Sequence, residues 1–175
     1  MSVLVTVGAL VLIALWAMAS YRKLVGLRTA VTKGWRQLDA QLKRRHDLVL
    51  DLVNAAQNAA EVESVTLEAV VAARNRAISV SGPTNAGRKE AELSKALADF
   101  LGASQSEWPL AADRAVRALQ EDLTGAENRI DVARQSYNKV AATYNAATDA
   151  IPGNIVAGFA GFRPAELFQA TNQSR

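Results

Sequence analysis

Residues 112–151, with the sequence ADRAVRALQEDLTGAENRIDVARQSYNKVAATYNAATDAI, carry the pattern that decides the fold. Apolar residues recur along this stretch in alternating steps of four and three, at Ala112, Val116, Leu119, Leu123, Ala126, Ile130, Ala133, Tyr137, Val140, Tyr144, Ala147 and Ile151. Such steps place side chains on one face of an α-helix. The pattern therefore predicts a helix of about 60 Å that buries one seam against other helices.

A second long helical stretch precedes it. From Tyr21 to about Val80 there is no proline, and Gly26 and Gly34 are the only glycines. Two apolar rows run along this stretch, one at Leu24, Val31, Leu38, Leu52, Ala59 and Ala73, the other at Trp35, Leu42, Val49, Ala56, Val70 and Ala77. Their spacing is heptad-like, as in a coiled coil. We expect one continuous helix from the start of this stretch to its end.

Turn-forming residues divide the rest of the chain. Residues 81–85 (SGPTN) break the helical pattern, and a shorter helix is predicted over about 88–103. Residues 106–109 (SEWP) are typical of a helix start, and 151–154 (IPGN) of a helix end. Pro164 could open a single helical turn in the apolar tail. Long helices joined by short connections predict an all-α, elongated antiparallel bundle.

The N-terminal segment is apolar enough to cross a membrane. Residues 3–19 carry no charge, and a helix of 17 to 20 such residues spans roughly 26–30 Å, about one hydrocarbon core. The alternative is a cleaved signal peptide, because Ala17-Met18-Ala19 resembles a cleavage site. Only Met1 and Ser2 precede the apolar run, without the usual basic side chains, which favours an uncleaved anchor.

Basic residues follow the apolar run and set its expected orientation. These are Arg22, Lys23, Arg28, Lys33, Arg36, Lys43, Arg44 and Arg45. Positive charge on this side predicts an outside N-terminus and a cytoplasmic body at the cell membrane. The residues expected at the membrane interface are Tyr21, Arg22, Lys23 and Arg28. The predicted organisation is an anchor at 1–20, a helical bundle at 21–155 and an apolar tail at 156–175.

Few residues could carry chemistry. The chain has one histidine and no cysteine, so a His/Cys metal site is excluded and no cofactor is expected. There is no phosphate-binding glycine loop and no Gly-x-Ser-x-Gly motif. Twenty basic residues against 17 acidic ones give a net charge of +3, too mild for a general nucleic-acid binder. We expect no catalytic residues and no small-molecule substrate, with His46 on a helix surface beside Asp47.

Two charged residues fall on the predicted apolar seam. Arg45 and Glu63 lie 18 residues apart, about 27 Å along a helix, so each needs a partner elsewhere. If the two long helices run antiparallel, Arg45 falls near Tyr144 and Asn145. Glu63 then falls near Arg129, its expected partner. We expect these charges to have a structural role.

Polar motifs in both halves of the chain resemble one bacterial family. The first is Leu38-Asp39-x-Gln41-Leu42-Lys43-Arg44-Arg45-His46-Asp47-Leu48. The second half contributes Glu127-Asn128-x-Ile130, Ala133-Arg134-Gln135-x-Tyr137-Asn138, and Tyr144-Asn145 before Pro152. These motifs are similar to those of the LemA family. With Glu63, the polar positions expected to matter structurally are Asp39, Gln41, Arg44, Arg45, Asp47, Glu63, Glu127, Asn128, Arg134, Tyr137, Asn138, Tyr144 and Asn145.

The resemblance implies a single-pass membrane protein with a long helical bundle and no established enzymatic activity. One branch of the family takes part in forming magnetosome membranes, which suggests a role in membrane organisation. Where the family pattern usually has Leu-Ile-Pro-Asn-Leu-Val, this chain has Leu-Val-Leu-Asp-Leu-Val at 48–53. Without that proline, the first long helix is expected to be straighter here.

Three functions remain open from the sequence. The first is a non-enzymatic scaffold that self-assembles or recruits partners at the lipid bilayer. The second is an adaptor or sensor that regulates another membrane protein, such as a protease or an envelope-stress component. The third is a hydrolase without a recognisable motif. Phe159, Phe162 and Phe168 could form a docking element in the tail, or could cap the end of the bundle.

Overall fold

The computed structural model describes residues 2–60, 65–107 and 113–169. Within these ranges the protein has five helices and no β-strand. The helices are α1 (Ser2–Ala60), α2 (Val65–Ile78), α3 (Pro83–Glu107), α4 (Arg114–Asp149) and α5 (Gly153–Ala160). The expected all-α architecture, with an elongated helical body, is confirmed.

Helix α1 joins the apolar segment to the bundle. It runs for 59 residues without a break and contains no proline. Among the described residues, α1 is the one helix long and apolar enough to cross a membrane, because it contains an 18-residue stretch with a mean hydropathy of 2.1. None of that stretch is buried in the part of the protein that the structure describes. Tyr21, Arg22, Lys23 and Arg28 are exposed just beyond it.

Helix α4 runs antiparallel to α1 along most of the body. Its observed range closely matches the predicted seam, and the Asp113 carboxylate caps it by accepting hydrogen bonds from the amides of Ala115 and Val116 at 2.8 and 3.0 Å. Gly34 of α1 packs against Tyr137 of α4. The start expected at 106–109 is wrong in part, because α3 is still helical at Glu107.

The single helix expected from Tyr21 to Val80 is wrong. Helix α2 is separate and lies antiparallel to α1, since the Arg74 Nε donates to the His46 carbonyl at 2.7 Å across 28 residues of sequence. A continuous helix would hold these residues about 42 Å apart. The predicted apolar rows contribute to the core in both α1 and α2. They face each other within one core and do not form a continuous seam along a single helix.

Helix α3 completes a four-helix body with two apolar clusters. It runs antiparallel to α2, and its Glu92 pairs with Arg76 of α2 at 3.3 Å. The distal cluster joins all four helices: Val49, Leu52, Val53, Ala56, Leu67, Val70, Ala73, Ala77, Leu93, Leu97, Phe100, Val116 and Leu123. The proximal cluster, nearer the apolar segment, is built from Leu38, Leu42, Ala86, Tyr137, Ala141 and Phe168.

The tail contains a helix that sequence reasoning missed. Helix α5 includes residues on both sides of the boundary expected at 155/156. It ends at Gly161, whose positive φ of 69° suits glycine at a helix C-terminus. Residues 162–169, which we call the strap, then run back along α4 without helical structure, so Pro164 opens no helical turn. Phe168, at the strap's end, is buried in the proximal cluster.

Candidate functional site

Two polar arrangements organise the body of the protein. One is a buried group of charged side chains between the two apolar clusters, which we call the ion layer. The other is a row of tyrosine and asparagine side chains on α4 that binds the strap. The motif positions that belong to these two arrangements are Arg45, Glu127, Tyr137, Asn138, Tyr144 and Asn145.

The ion layer centres on Arg45 of α1 and Glu90 of α3. Their side chains are only 4% and 5% exposed, and Arg45 Nη1 donates to Glu90 Oε2 at 3.0 Å. Arg45 Nη2 also donates to Ser94 Oγ at 2.8 Å and to Glu127 Oε1 of α4 at 3.3 Å. The other oxygen of Glu90 lies 2.5 Å from His46 Nε2. Every helix of the bundle contributes, because Arg74 of α2 binds the His46 carbonyl.

The sequence explains why these charges meet. On α1, Arg45 continues the buried series Leu38, Leu42, Val49 and Leu52 in steps of four and three. On α3, Ala86, Glu90, Leu93, Leu97 and Phe100 form a matching buried series. Each charge therefore occupies a core position of its helix, and buried charges require a partner. The acid at position 90 was detectable as an interruption of the α3 row, although sequence reasoning did not use it.

Two expectations about this region are wrong. Arg45 does not lie near Tyr144 and Asn145, because α1 and α4 pair in a register that brings Arg45 to Glu127. The expected register assumed one helix as far as Val80, which the return of α2 invalidates. His46 is not on the surface either: it is 6% exposed, because α2 and α3 cover the second face of α1.

The other motif positions lie outside the ion layer and the ladder. Arg44, Asp47 and Asn128 are exposed, and Gln41 is half-buried. Two of the charged positions pair on their own helices: Asp39 with Lys43 at 2.7 Å, and Arg134 with Asp131. Glu63, whose pairing with Arg129 was expected, lies outside the described residues. In the observed register Arg129 is level with the ion layer on α4.

The chemistry available at the ion layer is limited by its own bonding. Both oxygens of Glu90 and both terminal nitrogens of Arg45 have partners, whereas Arg45 Nε is buried without one. An adjoining cavity of about 220 Å³, bordered by Trp35, His46 and Glu90, is smaller than typical ligand pockets. In the described part of the chain, no three His, Cys, Asp or Glu side chains are grouped to hold a metal ion.

The second arrangement is a ladder of side chains along α4 that captures the strap backbone. Asn138 Nδ2 donates to the Phe168 carbonyl at 2.9 Å, and Asn138 Oδ1 accepts from the Phe168 amide at 2.9 Å. Asn145 binds both backbone groups of Ala165 in the same way, at 2.9 and 2.7 Å. Because the two asparagines are seven residues apart, they lie on one face of α4, two turns apart. Each asparagine side-chain amide thus forms the two hydrogen bonds with the strap backbone that a residue of a neighbouring β-strand would form.

Two tyrosines complete the ladder. Tyr137 donates its hydroxyl to the Glu166 carbonyl at 2.6 Å, and Tyr144 donates to the Arg163 carbonyl at 2.9 Å. Burial, and secondarily the negative charge of Glu166, raises the pKa of the Tyr137 hydroxyl. Burial also raises the pKa of Tyr144, against an opposing effect of Arg28. Both phenols are therefore held as neutral donors to the strap.

The opposite side of the strap is held by close packing on α3. Gly87 lies so near the strap that a Cβ atom there would be 2.5 Å from the Gln169 carbonyl oxygen. Trp35 of α1 packs against both Tyr137 and Phe168, with ring centroids 5.7 and 6.4 Å apart. The strap thus contacts α1, α3 and α4, and Phe168 is its buried residue. Phe168 is part of the core and is not available as an exposed docking residue.

The chain belongs to the LemA family, whose sequence profile matches residues 34–175. That match covers the ion layer, the asparagine–tyrosine ladder and the strap, and it agrees with the resemblance found in the motifs. Comparison with curated protein sequences gives no significant match. Family membership and the apolar N-terminal helix together fit a membrane-anchored helical protein.

Substituting Glu90 tests the ion layer. Glu90→Ala leaves Arg45 buried without its main counter-charge, which should lower the free energy of unfolding by about 3–5 kcal/mol. Urea unfolding of the full-length protein in detergent, followed by circular dichroism, measures this. The matched control is Glu92→Ala on the same helix, whose partners Arg76 and Lys89 are substantially exposed. Equal effects of the two substitutions would contradict a central role for Glu90.

Changing one amide to a carboxylate tests the ladder. Asn138→Asp keeps the size of the side chain but replaces the donor to the Phe168 carbonyl with an oxygen that repels it. Loss of such a bond, worth roughly 1 kcal/mol, should speed amide hydrogen exchange at the strap several-fold. Mass spectrometry of exchanged peptides measures this. Asn128→Asp, an exposed asparagine on the same helix, should leave the strap unchanged.

The raised pKa values of Tyr137 and Tyr144 predict how pH affects the strap. The folded state favours the neutral phenols, so their stabilisation is complete below the ordinary pKa of 10.0 and is lost as pH rises through the raised values. Tyrosinate absorbance of the folded protein should therefore include a late rise, at higher pH than the rise of the same protein unfolded in urea. Tyr137→Phe should remove part of that late rise, and an unchanged late rise would contradict the prediction.

Proposed function

We propose that the protein is a single-pass, membrane-anchored, non-enzymatic scaffold whose bundle self-assembles or recruits partner proteins at the membrane. The N-terminus lies outside the cell and the bundle in the cytoplasm, as the basic residues after the apolar segment favour. The adaptor or sensor function is the alternative that the experiments below separate from self-assembly.

The observation that carries this proposal is the continuity of α1. The same helix provides the apolar segment and, from Leu24 onward, buried core positions of the bundle. No flexible linker separates the two, so the bundle continues the apolar segment as one rigid element. A rigid, outward-projecting bundle suits a protein that presents surfaces to other proteins.

The bonding of the polar groups supports a non-enzymatic function. Catalytic groups must point at a common open space where a substrate can lie. Here the carboxylate of Glu90 is used by Arg45 and His46, and Ser94 by Arg45. The ladder on α4 is occupied by the protein's own strap. Both arrangements favour a role in holding the structure together.

Cross-linking in membranes tests the scaffold. Full-length protein is mixed as ¹⁴N and ¹⁵N copies, reconstituted in vesicles and treated with a lysine-reactive cross-linker. Exposed lysines on three helices, Lys43, Lys95 and Lys139, can report contacts. Self-assembly predicts peptides that join light and heavy copies, and recruitment predicts links to a foreign protein in native membranes.

Each outcome of this experiment has a defined meaning. Links to several different foreign proteins would favour the scaffold, whereas one stoichiometric foreign membrane protein without light–heavy links would favour the adaptor or sensor. A strict monomer without any partner would reject the scaffold. Glu90→Ala provides the control, because it keeps the anchor while weakening the bundle. Contacts made by the folded bundle should then decrease, although the protein stays in the membrane.

A further inference from the structure

The segment from Ala150 to Phe162 is unusually apolar for a surface element. It contains no charged residue, and charges resume only at Arg163. Its large side chains are exposed: Ile151 by 76%, Ile155 by 53% and Phe159 by 91%. These three residues are spaced four apart, so Ile155 and Phe159 lie on one face of α5, with Ile151 just before it.

The opposite face of α5 is fixed to the bundle. Gly153 and Ala157 are buried, and Gly153 approaches the Ala147 carbonyl at the end of α4 so closely that any Cβ atom would overlap it. This contact determines which side of α5 is free. The apolar face is therefore held outward by the fold and does not result from a loosely attached tail.

Helix α5 lies beside the end of the apolar segment of α1. Ile155, Val156 and Phe159 share an open groove with Ala17, Met18 and Tyr21 of α1. Ala17 and Met18 lie near the end of the uncharged run over 3–19, and Tyr21 lies just beyond it. At the edge of the groove, the ring centroids of Tyr21 and Phe162 lie 5.8 Å apart.

Helix α5 also lies across α1 and not along it. At its start, Pro152 and Gly153 border Ser20 and Leu24 of α1. Just after its end, Phe162 contacts Tyr21. A helix of eight residues lying along α1 would separate its two ends by about 12 Å of the α1 axis. The residues of α1 that border the two ends of α5 are offset by only about 3–5 positions, roughly 5–7 Å along α1, so α5 crosses α1 obliquely, with Phe159 nearer the apolar segment than Gly153.

We propose that α5 is a second membrane-contacting element, which inserts Ile151, Ile155 and Phe159 into the lipid beside the anchor. This inference rests on the anchor of the proposed function. The lipid around α1 is continuous with the groove, and interfacial helices bury their apolar face about 5–10 Å into the headgroup and acyl boundary. Basic side chains frame the site, with Arg28 5.9 Å from the Phe162 ring centroid and Arg163 next in sequence.

Charge also favours lipid over a protein as the occupant. Between Asp149 and Glu166 there is no acidic residue, and Arg22 and Lys23 follow the apolar run on α1. Exposed cations beside an apolar surface suit anionic lipid headgroups. Two contacts with the membrane, at α1 and at α5, would fix the tilt of the bundle, which a single helix crossing the bilayer leaves free to vary.

Spin labelling tests this proposal directly, because the chain has no cysteine to interfere. Single variants Leu10→Cys, Phe159→Cys and Val132→Cys are labelled and reconstituted in vesicles of phosphatidylethanolamine and phosphatidylglycerol. All three positions are exposed in the protein, and Val132 lies on α4 in the body. Collision with lipid-soluble oxygen and with a water-soluble nickel chelate is then measured for each label.

We expect the label at position 159 to behave like the label at position 10, with frequent oxygen collisions and few nickel collisions. The label at position 132 should remain accessible to the nickel chelate. Nickel access at Phe159 with Leu10 protected would overturn the proposal and leave the anchor intact. Protection of Phe159 from both reagents would indicate a protein contact and also overturn it. Nickel access at Leu10 would instead reject the anchor itself. The same measurement at Ile155→Cys provides an independent second position.

Discussion

The fold depends on the buried pairing of Arg45 with Glu90. Apolar seams with heptad-like spacing repeat every seven residues. Two helices can therefore slide past each other by one heptad, about 10 Å, and still bury leucine and alanine side chains. A buried charge pair does not tolerate that shift, because each partner would be left alone in an apolar environment. The pair therefore sets the register of α1 and α3, while Glu127 on α4 and Arg74 on α2 bring in the other two helices.

The asparagine–tyrosine ladder solves a different problem, the attachment of a chain end that forms no helix. An extended segment has unpaired backbone groups that must be satisfied if it is buried. Asn138 and Asn145 supply one donor and one acceptor each, which matches the amide and carbonyl of a single strap residue. Recognition is by backbone, so the side chain of Phe168 remains free to fill the core.

The apolar seams of the long helices were predictable from the sequence, whereas the points at which the chain reverses direction were not. The pattern over 112–151 gave α4 almost to its ends, because 36 residues of regular spacing leave no other low-energy arrangement. Nothing in residues 61–64 (EVES) signals a turn by glycine or proline, so the separate helix α2 went unpredicted. The burial of His46 was missed for the same reason, since α2 is one of the elements that cover it. Helix α5 was missed because its eight residues, two of them glycines, are too few to show a helical period in the sequence.

The chain order links the membrane end of the molecule to its core. Helix α4 leads into α5, α5 leads into the strap, and the strap returns to α4 beside the proximal cluster. A force that moves α5 therefore acts at both of its ends, on Gly153 against α4 and on the strap that carries Phe168. Since Phe168 packs against Trp35 of α1, the position of α5 is coupled to the packing of the helix that leaves the membrane. The apolar segment and the body are thus joined twice, once through the backbone of α1 and once through this closed loop of packed elements.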